Sequence, residues 1–199
     1  AFIVERGFKG LSVGPNELKM GMRGCNTAPV SFVDCEVPAE NMLGPEGMGF
    51  VQAMKTLTQG RVTLASRCIG MMDKLIAKSA EHMKLRSQGG HKLAEYQGLQ
   101  WMLADMAVQR DAARLLTYRG IETLMRGERG SLEAAMAKLS ATEALGRVVD
   151  AAVQIHGGVG YMRDAGIEGV FRDARVTRIY EGTSEIQRNI IARELLQND

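Results

Sequence analysis

The segment RVTLASRCIGMMDKLIAKSAEHMKLR, residues 61–86, decides the fold class of this chain. Its apolar residues recur at steps of three and four, which predicts a long helix with one buried face. Gly89 and Gly90 follow the segment and predict the break after it. The residues that define the apolar face are Val62, Ala65, Ile69, Met72 and Ile76.

The same periodicity continues along most of the chain. On the third long helix, which Ser131 can cap, the apolar side carries Leu132, Met136, Leu139, Val149 and Val153. Long helices joined by short turns predict a mainly α fold with a C-terminal antiparallel four-helix bundle. The other helices are expected at 48–57, about 94–125, about 167–176 and about 184–197.

The first 40 residues have a different character. They contain three of the four prolines and many glycines, and residues 31–37 alternate between apolar and polar side chains, which is typical of a half-buried strand. We therefore predict β structure in residues 1–40 and a helical domain in residues 41–199. Because the chain opens in strand-like sequence without a methionine, we expect it to be part of a longer protein.

Composition excludes several function classes. The chain has 199 residues, 45% hydrophobic and 24% charged, with a formal net charge of +2 and no block of Lys or Arg, so neither a nucleic acid nor a membrane is an expected partner. No apolar run approaches the roughly 20 residues that span a bilayer. Cys25, Cys35 and Cys68 lack CxxC spacing and the histidines are scattered, so we expect free thiols and no metal site.

The sequence RIYEGTSEIQ, residues 178–187, predicts a turn followed by the start of a helix. Gly182 suits the turn, Thr183 or Ser184 can cap the helix, and Ser184 with Gln187 fits a capping box. Glu181 serves none of these purposes, because its side chain leaves the backbone one residue too early to cap. Local structure therefore leaves the role of Glu181 open.

The glycine-rich sequence QIHGGVGY, residues 154–161, has two compatible interpretations. It follows a predicted helix, whereas a dinucleotide-binding fingerprint follows a strand, so we interpret it as a helix C-terminus with Gly157 in the left-handed conformation. Backbone without side chains also allows the pyrophosphate of a ligand to come close.

The order of motifs along the chain is more specific than any one of them. Over residues 1–197 it resembles the C-terminal half of the acyl-CoA dehydrogenase flavoprotein family. The matching segments are AFIVE (1–5), KMGMRG (19–24), VPAENMLG (37–44), GMGF (47–50), GR (60–61), Arg86 with Gln97, LADMA (103–107), QIHGGVGY (154–161), RDAR (172–175) and IYEGTSEIQ (179–187).

This resemblance implies a fold and an activity. Residues 1–40 would be the end of a middle β-barrel domain and residues 41–199 the C-terminal helical domain. The activity would be α,β-dehydrogenation of an acyl-CoA, in which a carboxylate removes the α-proton and the β-hydrogen leaves as hydride to FAD. Glu181 matches the base. Some family members place the base directly before the arginine that matches Arg61, but this chain has Gly60 there, so no competing base is present.

The resemblance also implies binding residues. Those that would contact FAD are Arg86, Gln97, Gln154, Gly157, Gly158, Thr183 and Glu185. Those that would contact the acyl-CoA substrate are Arg61, Tyr180, Gly182 and Arg193.

The implied partners are an acyl-CoA, electron-transfer flavoprotein as electron acceptor, and further copies of the same chain in a homotetramer. The implied compartment is the bacterial cytoplasm or the mitochondrial matrix. Two alternatives stay open: a family relative with different chemistry, such as an oxidase or a desulfinase, and, for this chain alone, a non-catalytic helical domain that self-associates.

Overall fold

The computed structural model describes residues 1–197. They form two compact units, the first covering Ala1–Leu57 and the second beginning at Thr58. None of the helices in this range has the length and apolar character needed to cross a membrane. No group of three His, Cys, Asp or Glu side chains among the same residues could hold a metal ion. The family domain boundary placed at residue 40 stays a prediction.

The first unit contains a small antiparallel ladder. Strand β1 (Leu11–Val13) pairs with strand β2 (Val30–Phe32), so that Leu11 lies opposite Phe32. The strand predicted at residues 31–37 is wrong beyond Phe32. The physical reason is Asp34, whose φ of 48° is a left-handed conformation that an extended strand cannot contain.

A single helix, α1 (Gly49–Leu85), replaces the two helices predicted at 48–57 and 61–86. Gly60 lies inside α1 without interrupting it. A glycine in a helix interior costs only about 1 kcal/mol relative to alanine, which the buried residues of the following turns, such as Val62 and Ala65, can offset.

The remaining elements follow the sequence prediction closely. A hairpin of β3 (Ser87–Gln88) and β4 (His91–Lys92) turns at Gly89 and Gly90, whose φ angles of 60° and 86° suit a two-residue turn. The helices predicted after it are confirmed to within a few residues: α2 (Gln97–Met125), α3 (Ser131–His156), α5 (Ile167–Arg175) and α6 (Ser184–Leu196), with the single-turn helix α4 (Gly158–Tyr161) between α3 and α5.

The hydrophobic core joins α1, α2, α3 and α5, which confirms the mainly helical fold class. On α3 the predicted Val149 is buried in this core and Val153 packs against it, whereas Leu132, Met136 and Leu139, predicted on the same face, are only partly buried. Alanines supply half of the α3 residues in the core. Small side chains let neighbouring helices approach closely. Those fully buried on α3 include Ala134, Ala135, Ala137, Ala141 and Ala152.

Candidate active site

The loop that precedes α6 has an unusual backbone. Glu181 has a φ of 57°, one of few non-glycine residues in the described chain with a positive φ, and Gly182 follows with a φ of 92°. A left-handed conformation is unfavourable for a residue with a Cβ atom and persists where surrounding contacts hold it. Such strain is common at functional sites, so the contacts around Glu181 are informative.

Three side chains from three helices hold the backbone of this loop. The carbonyl of Glu181 accepts hydrogen bonds from Nε of Arg61 on α1 at 3.3 Å and from Nε2 of Gln187 on α6 at 3.2 Å. The carbonyl of Gly182 accepts from Gln187 at 2.9 Å and from Nζ of Lys138 on α3 at 2.8 Å. The loop is therefore fixed on three sides by donors that are themselves buried.

The two ends of the loop are tied to α3 through Glu143. The hydroxyl of Ser184 donates to Oε1 of Glu143 at 2.6 Å, and the Arg178 guanidinium lies 3.6 Å from Oε2. Thr183 is the residue that caps α6, accepting the N–H of Ile186 at 3.4 Å. The capping box predicted for Ser184 and Gln187 is therefore wrong, because both side chains are used in contacts outside the helix.

The carboxylate of Glu181 lies against Gly60. A Cβ atom built on Gly60 would be 2.8 Å from Oε2 and 3.2 Å from Cδ of Glu181, so the absence of a side chain at position 60 makes room for this group. Oε2 is buried and has no hydrogen-bond partner within residues 1–197. A buried carboxylate oxygen without a partner is costly for stability and is available to accept a proton.

Two buried cations lie near this carboxylate. Burial lowers the pKa of Arg61, and the charge of Glu181 partly offsets that effect. Burial also lowers the pKa of Lys138, against the opposing effects of Cys68 and Glu181. The positive charges thus lie on the backbone side of the loop, where they bind carbonyl oxygens, and the carboxylate is left without a direct ion pair in the described chain.

Other predicted substrate-binding residues divide between two places. Tyr180 packs against the hydrophobic core beside Glu181, and Gly182 has the close contacts that exclude a side chain, since its Cβ would lie 2.8 Å from Nε2 of Gln187. Arg193 lies near the other end of α6, where its guanidinium is 3.8 Å from Glu194. The structure therefore brings Arg61, Tyr180 and Gly182 to Glu181 and leaves Arg193 apart from them.

The predicted FAD-binding residues also fall into two groups. Thr183 and Glu185 lie at the start of α6, beside Glu181. Of the others, Gln97 begins α2, and the rest lie near the ends of α1 and α3, which meet where the rings of His82 and His156 stack with centroids 4.4 Å apart. That second group is exposed and comprises Arg86, Gln97, Gln154, Gly157 and Gly158.

The second group leaves space for a ligand. A Cβ atom built on Gly157 or on Gly158 would have no heavy atom within 4 Å, so the backbone here is open. Gly157 has φ 57° and ψ −141°, a conformation suited to glycine, although not the left-handed helical one that we predicted from the sequence. The exposed guanidinium of Arg86 at the end of α1 supplies a cation for an anionic ligand.

Sequence reasoning missed Lys138 and Gln187. Both side chains are fully buried, and both donate to loop carbonyls. The one available signal for Lys138 was its position among the alanines of α3, where a lysine interrupts an apolar face. Gln187 gave no separate signal, because its type and spacing also fit a helix cap.

Comparison with known proteins places this site in context. Residues 47–196 match the family model for the acyl-CoA dehydrogenase C-terminal domain. The chain is 43% identical over 197 residues to the short-chain specific acyl-CoA dehydrogenase of Clostridium acetobutylicum, and 42% identical over 197 residues to a subunit of the caffeyl-CoA reductase-Etf complex of Acetobacterium woodii. Each match covers 99% of this chain and 52% of the relative, so the chain spans about half the length of these curated proteins.

A solved structure of an acyl-CoA dehydrogenase also matches this chain closely. The butyryl-CoA dehydrogenase of Megasphaera elsdenii superposes with a TM-score of 0.96 at 41% sequence identity, over 98% of this chain and 51% of that protein. Sequence and fold therefore agree on one family.

Proposed function

This chain belongs to the acyl-CoA dehydrogenase family, and from that premise we propose that it supplies the catalytic base of an enzyme that dehydrogenates an acyl-CoA thioester between its α and β carbons. The observation that carries the proposal is Oε2 of the Glu181 carboxylate, which is buried without a hydrogen-bond partner in the described chain, against a position that has no side chain. A base of this kind can accept a proton without first losing another partner.

Glu181 removes the α-proton of the substrate. This proton is only weakly acidic, so the thioester carbonyl must be polarised by hydrogen bonds as negative charge develops on it. We assign one of these donors to the backbone N–H of Glu181, as the family resemblance implies. Arg61 and Gln187, which bind the Glu181 carbonyl, keep that peptide and the carboxylate in a fixed relative position.

The cofactor is FAD, which when bound supplies the acceptor for the hydride that leaves the β carbon. The exposed residues at the ends of α1 and α3 fit such an anionic, extended ligand, because Arg86 offers a cation and Gly157 and Gly158 offer open backbone. Thr183 and Glu185 would hold the cofactor at the start of α6, where the positive end of the helix dipole favours an anion. Gln97 and Gln154 would complete the polar contacts.

The proposed partners are electron-transfer flavoprotein and further copies of this chain. The Acetobacterium woodii relative is a subunit of a complex with Etf, which supports the first. A stripe on α2 supports the second: Trp101, Val108 and Leu115 follow at steps of seven, which places them on one face of the helix, and they are 62%, 68% and 69% exposed. We propose a homotetramer, in the bacterial cytoplasm or the mitochondrial matrix.

Glu181→Gln in the full-length protein tests the function. The amide keeps the size of the side chain but cannot accept the proton, so the rate of flavin reduction by butyryl-CoA under anaerobic conditions should fall by at least about 1000-fold, while FAD stays bound. Glu128→Gln, an exposed carboxylate in the turn between α2 and α3, is the matched control and should reduce at the normal rate.

Unchanged flavin reduction in Glu181→Gln would refute the assignment of the base. Peroxide formation in place of reduction of electron-transfer flavoprotein would identify an oxidase of the same family.

A further inference from the structure

Lys138 is the largest fully buried side chain in the described chain, and the other lysines in residues 1–197 are not buried. It lies on α3 among alanines that form the helix contacts, such as Ala134 and Ala141. An ammonium group loses its hydration when it is buried, so a lysine at such a position is unfavourable unless its charge and its N–H donors are used. An apolar side chain of similar volume would serve packing alone at least as well.

The ammonium group of Lys138 binds the loop that carries Glu181. Nζ of Lys138 donates to the carbonyl of Gly182 at 2.8 Å, the shortest of the four hydrogen bonds by which Arg61, Lys138 and Gln187 hold the carbonyls of residues 181 and 182. Gln187 donates to the same carbonyl at 2.9 Å. Two buried donors therefore converge on one oxygen directly after the residue with the unfavourable backbone conformation.

We propose that Lys138 is a positioning residue that holds the 181–182 loop in its left-handed conformation and thereby aims the Glu181 carboxylate. This inference rests on the proposed function, because it assigns Lys138 a role through the base. Lys138 does not touch the substrate. Without its hydrogen bond and charge, the loop is free to relax toward ordinary backbone angles, and the carboxylate moves away from the position against Gly60.

The ammonium group of Lys138 lies among other charged and titratable groups of the site. The titratable and charged groups around its ammonium are Glu181 in the loop, Arg61 and Cys68 on α1, and Glu143 on α3. The rate constant for flavin reduction, compared with the Kd for butyryl-CoA, separates a positioning role from a purely structural one. A misplaced base slows the chemical step without weakening substrate binding.

Lys138→Met in the full-length holoenzyme tests the proposal. Methionine keeps most of the volume and removes the charge and the donor. We expect the rate constant for anaerobic flavin reduction by butyryl-CoA to fall about 10- to 100-fold, with the Kd for butyryl-CoA changed by less than about 3-fold. FAD content from the flavin absorbance should stay normal.

The matched control is Thr142→Val. Thr142 is fully buried one turn further along α3, and its hydroxyl donates to the carbonyl of Lys138 at 2.9 Å without reaching the loop. This variant removes a buried hydrogen bond from the same helix and should leave both the rate constant and the Kd for butyryl-CoA unchanged. Equal effects in the two variants, or a parallel loss of rate and substrate affinity in Lys138→Met, would overturn the proposal.

Gln187→Leu covers the case in which Lys138→Met yields no holoenzyme. It removes the other donor to the Gly182 carbonyl, so it should slow reduction selectively in the same way, and a normal rate in this variant would overturn the proposal. Glu181→Gln, measured alongside, separates the two inferences. If Glu181→Gln abolishes flavin reduction while Lys138→Met behaves as wild type, Glu181 is the base and the positioning role of Lys138 is wrong.

Discussion

Gly60 on α1 and Glu181 in the loop before α6 form a complementary pair, in which the missing side chain of one is the space for the carboxylate of the other. A Cβ atom at position 60 would lie 2.8 Å from Oε2 of Glu181 and 3.2 Å from both Cδ and Oε1. Real Cβ atoms do not approach a carboxylate this closely, so any residue other than glycine at position 60 requires the carboxylate to move.

Gly60→Ala should therefore impair the base. We expect the rate of flavin reduction by butyryl-CoA to fall about 10- to 100-fold, because a displacement of about 1 Å is enough to misalign a reacting group. The control is Gly70→Ala on the same helix, where an added Cβ meets no atom within 4 Å. It should raise the free energy of unfolding by about 1 kcal/mol, from helix propensity, and leave reduction unchanged. Equal rates in the two alanine variants would contradict the role of Gly60.

Glu181→Gly should stabilise the protein and inactivate it. Glycine adopts positive φ without the penalty that a Cβ atom brings, and the substitution also removes a buried carboxylate oxygen that has no partner in the described chain. We expect a gain of about 1 kcal/mol in the free energy of unfolding, with flavin reduction lost.

Asp34→Gly is the matched control for Glu181→Gly, because it relieves a positive φ at a residue outside the loop that carries Glu181. Asp34 has a φ of 48° in an exposed turn, so glycine should again stabilise, although less, because aspartate tolerates this conformation better than glutamate. Flavin reduction should not change. Chemical unfolding followed by circular dichroism measures both gains, and a loss of stability in Glu181→Gly would show that the loop is not strained.

Much of this fold could be predicted from local sequence, because helix periodicity and glycine turns are local properties. The boundaries of α2, α3, α5 and α6 follow from them. The buried face of α3 was predicted only in part: Val149 is buried as expected, whereas Leu132, Met136 and Leu139 are only partly buried and alanines with Lys138 occupy much of the actual contact. The prediction of a strand beyond Phe32 was wrong because the alternation of apolar and polar residues does not reveal the positive φ of Asp34.

The candidate site likewise has parts that the sequence predicted and parts that it did not. Motif order pointed to Glu181 and to Gly60, and the structure places the two in contact. The donors that hold the loop come from residues 120 and 44 positions away, Arg61 and Lys138, and their meeting depends on how α1 and α3 pack. Neither spacing nor composition contains that information. The position of Lys138 among the alanines of α3 marks it in the sequence, but its contact with the loop could be recognised only from the three-dimensional arrangement.

Cys68 should resist alkylation in the folded protein. Its side chain is fully buried, and burial raises the pKa of its thiol to about 11, despite opposing effects from Thr177, Arg67 and Lys138. The nucleophile is the thiolate, of which only about one part in a thousand is present at pH 8. With iodoacetamide at pH 8, peptide mass spectrometry should find the exposed Cys25 labelled long before Cys68. Labelling of Cys68 should appear only in guanidinium, and equal native rates would contradict its burial.

His82 should make the protein less stable in mild acid. Its ring stacks on His156 with centroids 4.4 Å apart, and its pKa is lowered by burial first, then by His156 and Arg86. The unfolded chain therefore takes up a proton at His82 more readily than the folded protein does. Above the unfolded pKa of about 6.5, His82 is neutral in both states and does not affect the free energy of unfolding. As the pH decreases below about 6.5, the free energy of unfolding decreases, and its decrease stops once the pH is below the folded pKa of His82.

His82→Phe keeps an aromatic ring for stacking and removes the titration. The fall in unfolding free energy between pH 7 and pH 5 should be smaller in this variant than in the wild type, as measured by denaturant titration across that range. The decrease in unfolding free energy that remains in His82→Phe comes from other groups that titrate between pH 7 and pH 5. An equal fall in both proteins would mean that His82 takes up its proton equally well in the folded and unfolded states, and that the stacked pair imposes no cost on its protonation.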